Sequence, residues 1–384
     1  MEEIRSLAGG GADIEKGGRS MASRLVDTFC EMVRIDSESG DEARFIDYLR
    51  DLLSREFGGR CALDSYGNLI ARIPAKDSQM KEAVLFGFHA DTVRPGRGIE
   101  PIVEDGVIRS AGNTVLGADD KAGIAEMVEA LRTSPRHPPL EIVVTREEEL
   151  GLQGARHLDR SLITAKSGYV VDMDAVNAVV VGGPSKMSID VRIKGKAAHA
   201  GMEPEKGISA IRAAAHAIVL LREGRLDEET TVNVGTIEGG EIRNGVPENA
   251  LVCLECRSLS HESCLAQSEL VRSAFETAAR SVGASATISM DLSYRASRLA
   301  ENAEPVRIAK AAIARAGAVP DVRLIGGGTD ASVYNAHGIE TVVIGAGIRS
   351  EHSTSEHVFV SDMETATETL SSILELLGGG SDAP

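Results

Sequence analysis

Apolar residues recur along this chain in two kinds of pattern. In residues 23–35, Leu25, Phe29, Met32 and Val33 fall at the spacing of a helix with one buried face. Residues 41–57 repeat it with Phe45, Leu49, Leu52 and Leu53. Ser23 is placed to cap the first helix, and the polar stretch 36–40 separates the two. Short unbroken apolar runs follow at 83–88, 141–145, 168–171 and 341–344. Runs without alternation read as strands covered on both faces. Helical patterns at 121–131 and 305–316 are interspersed with them. Strands alternating with helices predict an α/β fold with a mixed, largely parallel sheet flanked by helices.

The middle of the chain has a different rhythm. Residues 187–193, 231–237, 251–257 and 286–290 read as strands, with longer helical stretches at 208–222 and 261–279. A β–α–β–β–α–β order predicts a small ferredoxin-like α+β unit. The expected organisation is a core domain of residues 21–185 and 295–384, an inserted domain of residues 186–294, and a disordered Gly-rich N-terminus at 1–20.

Composition narrows the class. The 384 residues exceed one ordinary core, and 42% apolar content suffices for packed domains. With no Trp and 3% aromatic residues, that core must be aliphatic. A net charge of −17 argues against nucleic acid or an anionic membrane as partner. No apolar run approaches a membrane span, and residues 1–20 lack the apolar centre of a secretory signal. Five cysteines, an odd number, predict a cytoplasmic protein without a disulfide framework. Cys253 and Cys256 form a single CxxC, but no second pair exists and the alternation around them is that of a strand.

Candidate chemistry gathers where the strands end. In an open α/β sheet, ligands bind beyond the carboxyl ends of the strands. His89-Ala90-Asp91 follows one apolar run, Glu147-Glu148-Glu149 another, Asp172 ends a third, and His352 lies in the loop after a fourth. Asp119, in Gly117-Ala118-Asp119-Asp120-Lys121, precedes a predicted helix. Each alone has an ordinary explanation: a packed histidine, a helix cap, a solvated acidic run. Together they would bring two imidazoles and several carboxylates to one sheet edge, a donor set suited to zinc or a similar divalent metal.

These motifs resemble those of the M20 family of metallopeptidases, and within it the tripeptidase-like branch. The resemblance rests on Phe88-His89-Ala90-Asp91-Thr92-Val93, on Leu116-Gly117-Ala118-Asp119-Asp120-Lys121-Ala122-Gly123, on Glu148-Glu149-Leu150-Gly151, on Val171-Asp172, and on His352-Ser353-Thr354-Ser355-Glu356. It extends from about Leu25 to the last helix. It implies that His89 and Asp172 bind one metal, Glu149 and His352 a second, and that Asp119 bridges both. It also implies that Asp91 orients His89, that Glu148 is the general base, and that the Asp119–Asp120 peptide is cis. Two divalent ions follow as cofactors, zinc first, with cobalt and manganese as alternatives.

The same resemblance makes the inserted domain a lid and dimerisation unit. It assigns His199, in Gly195-Lys196-Ala197-Ala198-His199-Ala200-Gly201, to the substrate carbonyl or the tetrahedral intermediate, often across a homodimer interface. Asn244 and Arg257 match positions that contact a substrate carboxylate, although a strand-surface salt bridge explains Arg257 almost as well. Gly327-Gly328-Thr329-Asp330 resembles a substrate-pocket loop. The expected activity is hydrolysis of short peptides by an aminopeptidase of tripeptidase type. An N-acyl-amino-acid amidohydrolase, a carboxypeptidase, or a silent binding protein on the same fold are the alternatives. The complete ligand set and intact Glu148 argue against silence.

Overall fold

A computed structural model describes residues 20–379. The expectation of disorder in residues 1–20 therefore lies, Ser20 apart, outside the described residues. The first helix, α1 (Met21–Val33), begins one turn earlier than the apolar pattern indicated, because the Ser20 hydroxyl rather than Ser23 accepts an N-terminal N–H, that of Ser23. Helix α2 (Ala43–Phe57) stops at Gly58, whose left-handed φ of 65° ends the helix without the steric cost a side chain would carry there.

The apolar runs form the centre of an eight-stranded sheet. In chain order its strands are β1 (Arg60–Leu63), β2 (Leu69–Ile73), β3 (Val84–His89), β4 (Leu140–Thr145), β5 (Ser167–Val171), β6 (Ala178–Val180), β11 (Asp321–Arg323) and β12 (Glu340–Ile344). Across the sheet the order is β1-β2-β4-β3-β5-β12-β6-β11. The neighbours β4, β3, β5 and β12 are parallel, while β1, β2 and β6 run antiparallel to the neighbour nearer the centre. Every residue of β3 and β4 is buried. Phe86 and Phe88 enter one apolar cluster with α1 and with α3 (Ala118–Thr133), whereas Leu85 enters another on the opposite face with Tyr334. Period-2 alternation between two covered faces thus explains the unbroken apolar runs.

A second sheet, five-stranded and antiparallel, is built from the middle of the chain. It contains β7 (Ser185–Lys194), β8 (Thr230–Gly239), β9 (Asn249–Ser258) and β10 (Ser285–Tyr294), with a two-residue strand at its edge. Helices α4 (Ala210–Leu220) and α5 (His261–Ser281) pack on it, and it has its own apolar core around Ile189, Val252, Val271 and Phe275. Both ends of this unit run longer than the apolar pattern alone showed, since strand pairing continues through polar residues such as Ser185 and Asp291. Cys253 and Cys256 both lie in β9, and all five cysteines are free. Among the described residues no helix is long and apolar enough to cross a membrane.

Candidate metal centre

Because β3, β4, β5 and β12 are parallel, their carboxyl ends open at one edge of the sheet, and the chemistry-bearing residues follow there. His89 is the last residue of β3 and is 2% exposed. Its Nδ1 lies 2.9 Å from the backbone carbonyl of Asp91 and 3.4 Å from the Asp91 carboxylate, which leaves Nε2 directed at Asp119 Oδ1, 2.9 Å away. The Asp91 carboxylate does more than face the ring. Its Oδ1 accepts the N–H of Glu148 at 2.9 Å, and its Oδ2 accepts the N–H of Glu149 at 3.2 Å and the Ser39 hydroxyl at 2.8 Å. Asp91 therefore ties the histidine motif to the paired glutamates.

Asp119 precedes the regular part of α3, and its peptide bond to Asp120 is cis. The loop that carries it is held from behind by Glu356. That buried carboxylate accepts the N–H groups of Leu116, Gly117 and Asp119 at 2.7, 2.8 and 3.0 Å. Gly123 lets the helix lie close to the end of β5. A Cβ there would stand 2.5 Å from Asp120 Oδ1 and 2.8 Å from the Val171 carbonyl. Lys121, fully buried, donates to the Ile35 carbonyl at 2.8 Å and sits over the Phe45 ring, and burial lowers its pKa to about 7.

The three consecutive glutamates diverge because Glu147 adopts a left-handed φ of 51°. Its side chain turns to the Tyr66 hydroxyl, away from the cavity, while Glu148 and Glu149 line the cavity. His352, also left-handed at φ 59°, brings its Nε2 to 2.7 Å from Glu149 Oε1 and 3.2 Å from Asp119 Oδ2. Asp172 follows β5 and is anchored by its N–H to the Ile344 carbonyl of β12 at 3.1 Å. Asp119 thus presents one oxygen to each histidine. Ligand atoms of His89, Asp119 and Asp172 lie within 4.8 Å of one another, as do those of Asp119, Glu149 and His352.

The buried groups of this cluster perturb one another strongly. Burial, then the charge of Asp119, pushes Asp172 well above the carboxylate range. Burial, then the charge of Asp172, does the same to Glu148. Burial alone would depress His89, but hydrogen bonds and charge from Asp119 and Asp91 raise it well above its usual value. His352 is raised to about 10, chiefly by its hydrogen bonds to Asp119 and Glu149. One imidazole nitrogen facing two carboxylates is poor geometry for a single proton and good geometry for a shared ion. Histidine and carboxylate donors converging in this way fit divalent metal.

The centre lies in a cavity of about 300 Å³, walled also by Met173, Asp174, Ile325, Ile348, Glu351 and the Gly327-Gly328-Thr329 loop. Beneath that loop, Asp330 Oδ2 lies 2.5 Å from the Thr145 hydroxyl at the end of β4, so the loop and the strand leading to the glutamates are joined. Arg257 reaches the same loop, donating to the Gly326 carbonyl at 3.2 Å while paired to Glu255 at 2.8 Å. It combines the expected salt bridge with a contact beside the cavity. His199 and Asn244 are elsewhere. They line a separate cavity of about 410 Å³ in the inserted unit, where His199 Nδ1 accepts the N–H groups of Gly201 and Met202 at 3.2 Å each.

Tyr66 was not singled out in the sequence, and Asp330 stood there only as the last residue of the substrate-pocket loop. Glu356 stands inside a motif singled out there, but what its carboxylate accepts is visible only once residues 116–119 are folded against it. The Asp330–Thr145 and Tyr66–Glu147 contacts join positions 185 and 81 apart, with no local signal.

A fold of this kind, with imidazoles and carboxylates converging at the strand ends, defines a class of metal-dependent hydrolase. Comparison with known proteins places the chain within it. Residues 183–282 match the peptidase dimerisation domain of the M20 family, and residues 68–205 match peptidase family M28, across the stretch that carries His89 to Asp172. Aminopeptidase PepT from Bacillus cereus ATCC 10987 is 39% identical, covering 93% of this chain and 99% of that one, with a TM-score of 0.83. A tripeptidase from Staphylococcus aureus subsp. aureus Mu50 is 34% identical, covering 93% and 98%, with a TM-score of 0.87. The Bacillus subtilis (strain 168) protein YqjE is 39% identical over 92% of this chain and 98% of its own. This chain belongs to the M20 family of metallopeptidases, in its tripeptidase-like branch.

Proposed function

We propose that the chain is a cytoplasmic two-metal aminopeptidase that removes the N-terminal residue of short peptides, tripeptides foremost. The observation that carries this is Asp119, one of whose carboxylate oxygens faces His89 and the other His352, with the buried carboxyl of Glu148 in the same cavity. The relatives named aminopeptidase and tripeptidase supply the peptide class.

In this reading His89 and Asp172 would hold one ion and Glu149 and His352 the other, with Asp119 available to both. Two divalent ions held there, zinc first, would supply Lewis acidity toward the scissile carbonyl and toward water. Glu148 takes a proton from the attacking water and delivers it to the leaving amine. Asp91 keeps Glu148 and Glu149 in place through their N–H groups. Elemental analysis with two ions per chain, and loss of peptide cleavage in EDTA, is the expected result. Full activity in chelator with only stray metal would refute it.

His199 and Asn244 line a cavity that none of the metal-cluster residues enters. That separation supports a homodimer in which each inserted unit serves its partner's centre. Ile211, Val219, Leu220 and Ile237 are exposed on α4 and β8, and beyond Val232 the outer edge of β8 is unpaired among the described residues. Such an apolar edge fits a symmetric partner. The test is complementation: inactive Glu148→Gln mixed with inactive His199→Ala should regain activity, because one site of the hybrid has both groups. No recovery after verified subunit exchange would place His199 in the same chain as its centre or remove it from catalysis.

A further inference from the structure

The walls of the metal cavity hold one charge that the metal centre leaves over. Four carboxylates line it as ligands or base: Asp119, Asp172, Glu149 and Glu148. Two divalent ions with neutral histidine ligands would balance those four charges. Two further acids stand on the wall, Asp174 and Glu351, and no Lys or Arg lines it. Asp174 is already matched, since its Oδ1 accepts Arg323 Nη2 at 2.8 Å. Glu351 is exposed at the rim beside His352, and its carboxylate has no hydrogen bond or ion pair among the described residues. Glu148, only 9% exposed, lines the same cavity and its carboxyl likewise lacks a hydrogen-bond partner among the described residues, as expected of a group facing a ligand. A loaded cavity with one surplus negative charge and no basic residue complements a ligand group of single positive charge. Met173, Ile325 and Ile348 give the same cavity its apolar lining.

We infer that Glu351 is a specificity residue that binds the α-ammonium of the substrate's first residue, with Met173, Ile325 and Ile348 receiving an apolar first side chain. The inference rests on the aminopeptidase reading above and deepens it. An N-acylated substrate has no charge to offer Glu351. A substrate carboxylate finds no Lys or Arg among the residues lining this cavity.

The probes are trialanine and N-acetyl-trialanine, with the metal-loaded full chain. Glu351→Gln should raise KM for trialanine roughly tenfold, a modest factor because the pair is partly exposed, and should narrow the preference for the free peptide. The effect should vanish with the substrate's own charge. A peptide α-amino group loses its proton near pH 7.7–8.0, so wild type and Glu351→Gln should converge in KM at about pH 9.5. Binding without turnover gives an independent readout. Calorimetry of trialanine with Glu148→Gln should show tighter binding at pH 6.5 than at pH 9.5, and adding Glu351→Gln should abolish that difference. If wild type prefers the free peptide but Glu351→Gln keeps its KM, or changes both substrates equally at all pH, the inference fails alone. A wild type that prefers the acetylated peptide overturns the aminopeptidase reading and the inference with it.

Discussion

Glu356 is a residue whose removal should separate the support of the metal centre from its chemistry. Its carboxylate is 2% exposed and accepts three backbone N–H groups of the loop carrying Asp119, at 2.7, 2.8 and 3.0 Å. In Glu356→Ala those three donors lose their partner. An orphaned buried donor costs about 1–3 kcal/mol, and water entering the vacated space should hold the total near the lower bound, about 3 kcal/mol. That is roughly a hundredfold in the folding equilibrium. Loosening of Asp119 should add a loss of about 10–100-fold in metal affinity, the usual effect of removing a group that orients a ligand. Glu356→Gln should cost less, about 1–3 kcal/mol. Its amide oxygen can keep Leu116 and Gly117, which share Oε2, while its NH₂ must face the Asp119 N–H. Scanning calorimetry of metal-free protein reads the first effect, and competition with a chromophoric chelator reads the second. An alanine variant with the wild-type melting temperature and wild-type metal affinity would refute the reasoning.

Three further outcomes are expected. Glu148→Gln should retain its metals by elemental analysis yet lose about 10²–10⁴ in kcat; wild-type turnover would move the base elsewhere, and Glu147 is poorly placed for it, being turned to Tyr66. Glu126 is fully buried in α3 with neither oxygen partnered among the described residues, and burial, then the charge of Asp362, raises its pKa well above normal. Its folded pKa exceeds its unfolded value of about 4.3, so stability is full below that pH and falls as pH rises toward the folded pKa. Glu126→Gln should therefore melt higher than wild type at pH 8 and by much less at pH 4.5; a gap independent of pH would contradict this. Gly123→Ala should destabilise by roughly 1–3 kcal/mol in a denaturant titration, because the added Cβ meets Asp120 and the Val171 carbonyl; unchanged stability would mean the helix can shift freely.

The four central strands of the core sheet and the helices beside them were legible, because their apolar periodicity is a local consequence of how each element is covered; the shorter outer strands were not. Unbroken runs marked strands buried on both faces, and i, i+3, i+4 stripes marked helices with one buried face. The same local order placed His89, Asp119, Glu148, Glu149, Asp172 and His352 at element ends, and parallel strands send their carboxyl ends to one edge. Tertiary structure alone decided which oxygen of Asp119 faces which histidine, and that Glu147 leaves the cavity for Tyr66. It alone set Glu356 behind the Asp119 loop, and His199 in a cavity apart from the metal cluster of its own chain. Those facts depend on side-chain directions at left-handed residues and on contacts between positions as far apart as Leu116 and Glu356. Periodicity along a chain encodes which face is covered; it does not encode which distant group does the covering.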